Sequence, residues 1–167
     1  MGNQYSHITP EQADLIERAP CFFVATADPA LEKGPADVGP VNVSPKGGTP
    51  LHVLSPNKVA YLDYPGSGNE TARHSTSGGP VTIMVCAFDE DDAAIVRLYG
   101  QARIVKPEDS TSQLLESPAD ELAHDPRQVI EIDIEQTQTS CGYGVPVMKF
   151  VRERRSADRG KLYKSRG

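Results

Sequence analysis

Short apolar runs separated by Gly, Pro and acidic turns recur along this chain, and few stretches carry the period of a helix. Residues 21–27, Cys-Phe-Phe-Val-Ala-Thr-Ala, form a near-continuous apolar run that predicts a strand buried on both faces. Residues 41–44 alternate and then meet Pro45-Lys46-Gly47-Gly48, a turn signal. Residues 51–54 and 59–62 predict two short strands joined by Ser55-Pro56-Asn57-Lys58. Residues 81–88 predict a strand ending in an acidic turn, and 95–105 a long strand with Gly100 as a bulge or bend. Val129-Ile130-Glu131-Ile132-Asp133-Ile134-Glu135 alternates throughout, the mark of a strand with one wet face. Helices are fewer. Thr9 caps and Pro10 opens the first, which stops before Pro20; a second follows Gly66 and Gly68, with Ser67 or Asn69 as its cap; one or two more are expected over 108–123. Six or seven strands without the strand-helix alternation of a doubly wound sheet predict a mainly β fold, a small barrel with peripheral helices.

Length and charge refine this picture. A chain of 167 residues is one domain by size: a helical segment over 1–19, a barrel over 20–151 and a basic tail over 152–167. From Lys149 onward there are eight Lys/Arg against two Asp/Glu, whereas the remainder carries nine against twenty-one. The acidic body would repel a polyanion, so nucleic acid is not an expected partner. Three cysteines without metal-ligand spacing indicate a reducing, cytoplasmic compartment, and Cys21 and Cys86 are expected as small buried hydrophobes. No apolar run approaches a membrane span or a leader, and Met1-Gly2 with Ser6 only weakly matches an acylation signal.

Candidate chemistry gathers in three polar, Gly/Pro-rich segments at strand ends: Val43-Ser44-Pro45-Lys46-Gly47, residues 63–74, and residues 140–146. The glycines at 66 and 68 let amides approach a ligand, and the helix that follows favours an anion at its start. No Lys follows them, so this is not a Walker loop. Lys46, Arg73 and His74 are the candidate polar groups near an anion. Ser67, His74 and Asp63 supply the residue types of a triad without a nucleophile-elbow motif. Cys141, set between Ser140 and Gly142, is the thiol expected at the surface. Tyr61, Tyr64, Tyr99 and Tyr143 suit stacking on a planar ring or packing in a barrel wall. No His pair has metal-ligand spacing, so no metal is expected.

Taken in order, Phe23-Val24-Ala25-Thr26, Val41-Asn42-Val43-Ser44-Pro45-Lys46-Gly47, Ala60-Tyr61-Leu62-Asp63, Gly66-Ser67-Gly68-Asn69-Glu70-Thr71, Arg97-Leu98-Tyr99-Gly100-Gln101-Ala102 and Ser140-Cys141-Gly142-Tyr143-Gly144-Val145-Pro146 resemble the pyridoxamine 5′-phosphate oxidase-like, FMN-binding split-barrel proteins, over about residues 20–151. The resemblance implies a split β-barrel homodimer with FMN in the clefts between subunits and an unidentified small-molecule substrate. Val43, Ser44, Pro45 and Lys46 would flank the flavin ring and ribityl chain, with Tyr61, Leu62 and Asp63 on the next strand. Asn69, Glu70, Thr71 and Arg73 would stand at the phosphate. Arg97, Ser140, Cys141, Gly142 and Tyr143 would come from the partner subunit. The chain lacks the Trp and the C-terminal His of the oxidase proper, and Glu70 stands where related members often carry a cation. The expectation is therefore an FMN-dependent oxidoreductase of unknown substrate. The alternative is a binding module for flavin, haem or deazaflavin F420 without turnover, with His74 or Cys141 as the axial group in the haem case.

Overall fold

The computed structural model describes residues 2–66, 68–110 and 125–154. Its elements run β1 (Asn3–Tyr5), α1 (Pro10–Arg18), β2 (Cys21–Ala27), β3 (Val41–Gly47), β4 (His52–Ser55), β5 (Lys58–Asp63), α2 (Glu70–Thr76), β6 (Pro80–Cys86), β7 (Ala94–Val105) and β8 (Gln128–Cys141). Helix α1 opens as its sequence requires. The Thr9 hydroxyl accepts from the Gln12 amide and the Gln12 side chain accepts from the Thr9 amide, a reciprocal capping box with Pro10 at the first position. The helical stretch expected over 108–123 lies outside the described residues apart from a short 3-10 turn at Pro107–Asp109.

All strand pairs are antiparallel, in the order β3-β2-β6-β7-β8-β5-β4, with β1 on the far half of β8. The two edge strands, β3 and β4, are consecutive in sequence. A flat sheet would separate them by six strand spacings, about 29 Å. The stretch from Gly47 to His52 spans roughly 18 Å at most. The sheet therefore has to roll until its edges meet. The seam forms past the end of β4, where β5 is itself uncovered: Lys46 of β3 reaches Asp63 of β5 and the Thr49 hydroxyl donates to the Leu62 carbonyl.

Inside the roll lie Phe22, Val24, Tyr61, Val81, Ile83, Val85, Val96, Leu98, Ile130 and Ile132, with Leu15 and Ile16 of α1 joining the same cluster. Phe22 and Tyr61 meet edge to face at 5.2 Å. Burial of these apolar side chains is the main source of stability. Helix α2 packs on β2, β6 and β7. At Tyr99/Gly100 the β7–β8 register shifts, the bulge expected there, and a Cβ on Gly100 would collide with the Asp133 carbonyl oxygen.

Three expectations change. Strand β3 runs through Pro45 and Lys46 to Gly47, so these are strand residues, not a turn; as an edge strand it tolerates a proline. Strand β2 is buried on one face only, and Cys21 is half-buried. The second face of β8 is covered at its start, where Val129 packs with Ala60 and Leu62, and becomes wet from Asp133 onward.

Candidate functional site

The rolled edges create a polar mouth. Asp63 ends β5, is 5% exposed, and accepts three hydrogen bonds: from Lys46 Nζ at 2.7 Å, Arg127 Nη2 at 2.7 Å and Gln128 Nε2 at 2.8 Å. Burial alone would raise its pKa, but the bonds from Arg127 and Lys46 outweigh that and hold the carboxyl below its usual range. Gln128 Nε2 also donates to Asn69 Oδ1 at 2.8 Å, and the Arg127 guanidinium reaches the Gly68 carbonyl at 3.3 Å. The β5–β8 pairing explains the gathering, because Asp63 lies opposite Gln128 in register.

Two donors at this mouth are poorly satisfied. Arg127 Nε has no partner among the described residues; the hydroxyl of Tyr61, a residue with no exposed surface, has only the Thr71 side chain beside it, at a geometry short of a well-formed hydrogen bond, with Asp63 and Arg127 nearby. Lys46 Nζ also stands 5.6 Å from the Tyr61 ring centre, a cation over an aromatic face. Burial drives the Tyr61 phenol well above its ordinary pKa, so it is a neutral donor. Poorly satisfied buried donors are uncommon and suit an acceptor-rich group at this place. The two cations exceed the single Asp63 charge, while Glu70 folds back against Gly68 and adds a second acid. The set fits an anion held mainly by hydrogen bonds better than one held by charge alone.

The remaining predicted residues divide between other places. Ser44 shares the inner face of β3 with Asn42, whose side-chain amide donates to its hydroxyl at 3.1 Å, while Val43 and Pro45 point outward. Leu62 lies in the small outer cluster with Val129. Thr71 is buried on α2 and Asn69 is that helix's N-cap residue without a side-chain capping bond; Ser67 lies outside the described residues. Arg97 donates to the Ser140 hydroxyl at 2.8 Å, and the Tyr99 hydroxyl donates to Gln138 Oε1 at 3.1 Å, both on the outer face of β7 and β8. Cys141 is exposed, Gly142 is buried against Ala93, and Tyr143 stands in solvent. Within one chain, then, the mouth and the outer patch are separate groups.

Arg73 and His74 form a third group. Arg73 donates to Asp28 at 3.3 Å and to His74 Nε2 at 2.8 Å. Arginine only donates, so Nε2 carries the lone pair and Nδ1–H donates to the Thr26 hydroxyl at 2.9 Å. Burial, then the Arg73 charge, hold the His74 pKa below its usual value. Both ring nitrogens are engaged, so the Nε2 lone pair would have to leave Arg73 before it could bind an iron, and His74 stands with Thr26 and Arg73 instead of forming the triad with Asp63.

Sequence reasoning missed Arg127 and Gln128. A buried carboxylate after the apolar run 59–62 requires a counter-charge, and this was the available signal. No group of three or more His, Cys, Asp or Glu among the described residues is placed to hold a metal ion, and no helix there is long and apolar enough to cross a membrane.

Comparison with known proteins agrees with this architecture. The chain is 35% identical over 147 residues to the Pyridoxamine 5′-phosphate oxidase family protein ustO of Aspergillus flavus, a match over 86% of this chain. It spans 56% of that relative's length. Crystal structures of the same fold include HupZ of Group A Streptococcus (TM-score 0.56, 22% identity, 78% of this chain and 91% of that one). An FMN-binding protein of Syntrophomonas wolfei also shares it (TM-score 0.54, 12% identity, 83% and 89%). Residues 8–141 match the Pyridoxamine 5′-phosphate oxidase family over strands β2 to β8, and the chain is a member of that family.

Proposed function

We propose that this chain is an FMN-binding flavoprotein that acts as an oxidoreductase, with the cofactor in a cleft between two copies of the chain. The observation that carries the reading is the polar mouth itself, where Arg127 Nε has no partner among the described residues and the Tyr61 hydroxyl has only Thr71 beside it, next to Lys46 in a member of this family. In this reading Lys46, Arg127, Asn69 and Thr71 hold the phosphate end, with Glu70 turned onto Gly68 and Arg73 bracing the helix from behind. Val43, Ser44 and Pro45 flank the ring and ribityl chain, and Tyr61, Leu62 and Asp63 form the wall behind them. The outer patch of Arg97, Ser140, Cys141, Gly142 and Tyr143 completes the site from the second copy. Bound FMN would supply hydride and electron transfer; the chain's own residues bind, orient and exclude water.

The two-copy arrangement has its own support. Val41 and Val43 are exposed on the outer side of the edge strand, next to the half-buried Phe23 and Met84. Apolar surface of this kind suits burial against a second copy. Light scattering should then give twice the 18.1 kDa chain mass. The deciding experiment is the absorption spectrum of the purified protein with FMN titration followed by fluorescence quenching. Flavin absorbance, or saturable quenching at one FMN per chain, supports the reading. A colourless protein that leaves FMN fluorescence unchanged overturns it.

A further inference from the structure

Two of the three cysteines face one another. The β2–β6 pairing runs from Thr26 opposite Val81 to Phe22 opposite Val85, and the next step of this antiparallel register sets Cys21, the first residue of β2, opposite Cys86, the last of β6. Directly opposed residues of antiparallel strands have Cα atoms about 4.5–5.5 Å apart. Disulfides accept roughly 4.4–6.8 Å, so an opposed pair of this kind falls within bridging range. Both thiols are free and sit on the outer face of the roll.

Access is also built in. Cys21 and Cys86 line a groove of about 900 Å³ between the end of α1, the close of β3 and the segment over residues 148–154. Glu153 of that segment lies near Gly47, the strand neighbour of Cys21. Cys21 is half-buried and Cys86 is buried, so the first is the thiol that an incoming reagent meets. Cys141 is not among the residues of this groove.

We propose that Cys21 and Cys86 are a modifiable dithiol, which thiol-disulfide exchange with a low-molecular-weight disulfide entering the groove closes into a bridge between β2 and β6. Cys21 attacks as the thiolate. The sulfur-sulfur bond of the small disulfide breaks, a mixed disulfide forms on Cys21, and one small thiolate leaves. The Cys86 thiolate then attacks the Cys21 sulfur and expels the second small thiolate. The two thiol protons pass to the two leaving thiolates. The protein loses two electrons, and the small disulfide is reduced to two thiols. Burial raises both thiol pKa values; Glu153 adds to the rise at Cys21, and Arg97 opposes it at Cys86 without cancelling it, so the exchange quickens as pH increases. Neither cysteine is among the residues assigned to the flavin, although the groove they line also touches Pro45, and the proposal does not depend on bound flavin.

The test uses the full chain and oxidised glutathione as the probe, at about pH 7 and about pH 9, on either side of the ordinary thiol range. Free thiols are then alkylated, and intact mass and cross-linked peptides are read by mass spectrometry. The expected result is loss of two hydrogens, a peptide joining Cys21 to Cys86, faster closure at the higher pH, and reversal by a dithiol reductant. Cys86→Ser should stop at the mixed disulfide on Cys21, and Cys21→Ser should leave Cys86 unmodified. Separate alkylation of Cys21 and Cys86 in the treated wild-type chain, or adducts confined to Cys141, overturns the proposal without recourse to any variant.

Discussion

Replacing Asp63 by Asn tests whether one carboxylate holds the two sheet edges together. Asp63 takes Lys46 from β3 and Arg127 from just before β8, each at 2.7 Å. Asparagine keeps the shape but presents one acceptor oxygen and no charge, leaving two cations near one another. Breaking a buried pair by removing one partner costs about 3–5 kcal/mol. The Lys46 and Arg127 side chains keep 23% and 28% of their exposure. Water recovers part of the loss, which leaves about 2–3 kcal/mol. At about 2–4 °C per kcal/mol for a chain of this size, Tm should fall by roughly 4–12 °C. Acid supplies a second arm. Asp63 has its pKa lowered in the folded state, so its contribution is present above the unfolded carboxyl value of about 3.9 and is lost as pH falls through the folded value. The gap between wild type and Asp63→Asn should therefore narrow below about pH 4. Thermal unfolding followed by circular dichroism across pH measures both. A Tm within about 1 °C of wild type at neutral pH, or a gap that stays constant into acid, refutes the clamp.

His74 takes up a proton less readily folded than unfolded, so stability should decline as pH drops below about 6.5; urea midpoints for wild type and His74→Gln should diverge at neutral pH and converge in that window, and parallel curves would exclude His74 as the source. Gly100→Ala drives a methyl into the Asp133 carbonyl in the β8 backbone and should destabilise by about 1–3 kcal/mol, read as a lower urea midpoint with unchanged slope; a neutral result would mean that the bulge relaxes freely. Tyr61→Phe removes a poorly satisfied buried hydroxyl, so stability should change by no more than about 1 kcal/mol while FMN affinity falls about threefold to tenfold by fluorescence titration; equal FMN affinity would remove Tyr61 from the site. Lys46→Met should weaken FMN by a further charge-assisted contact, about tenfold, and loss of fold without loss of affinity in the residual native protein would assign Lys46 to the clamp alone.

What could be read in advance divides by distance along the chain. Thr9, Pro10 and Gln12 act within one helical turn, and their capping geometry follows from residue type. The apolar run 21–27 coincides with β2, and Gly100 marks the bulge, because each signal is local to its strand. The closure of the roll is different. Lys46 and Asp63 are 17 residues apart, and Arg127 is 64 residues from Asp63. No periodicity carries such a pairing. Pro45 read as a turn because a proline deletes a ladder donor, and only the knowledge that β3 is an edge strand makes it harmless. The same roll explains the one-sided burial of β2 and the dry start of β8, since a residue's second face is decided by what the sheet curls against. Polar residues at strand ends are thus ambiguous in sequence: Asp63 is at once the bolt across the seam and the floor of the proposed anion site. A ligand that takes Lys46 or Arg127 away from Asp63 must replace what it breaks, which couples occupancy of the mouth to the closure of the barrel.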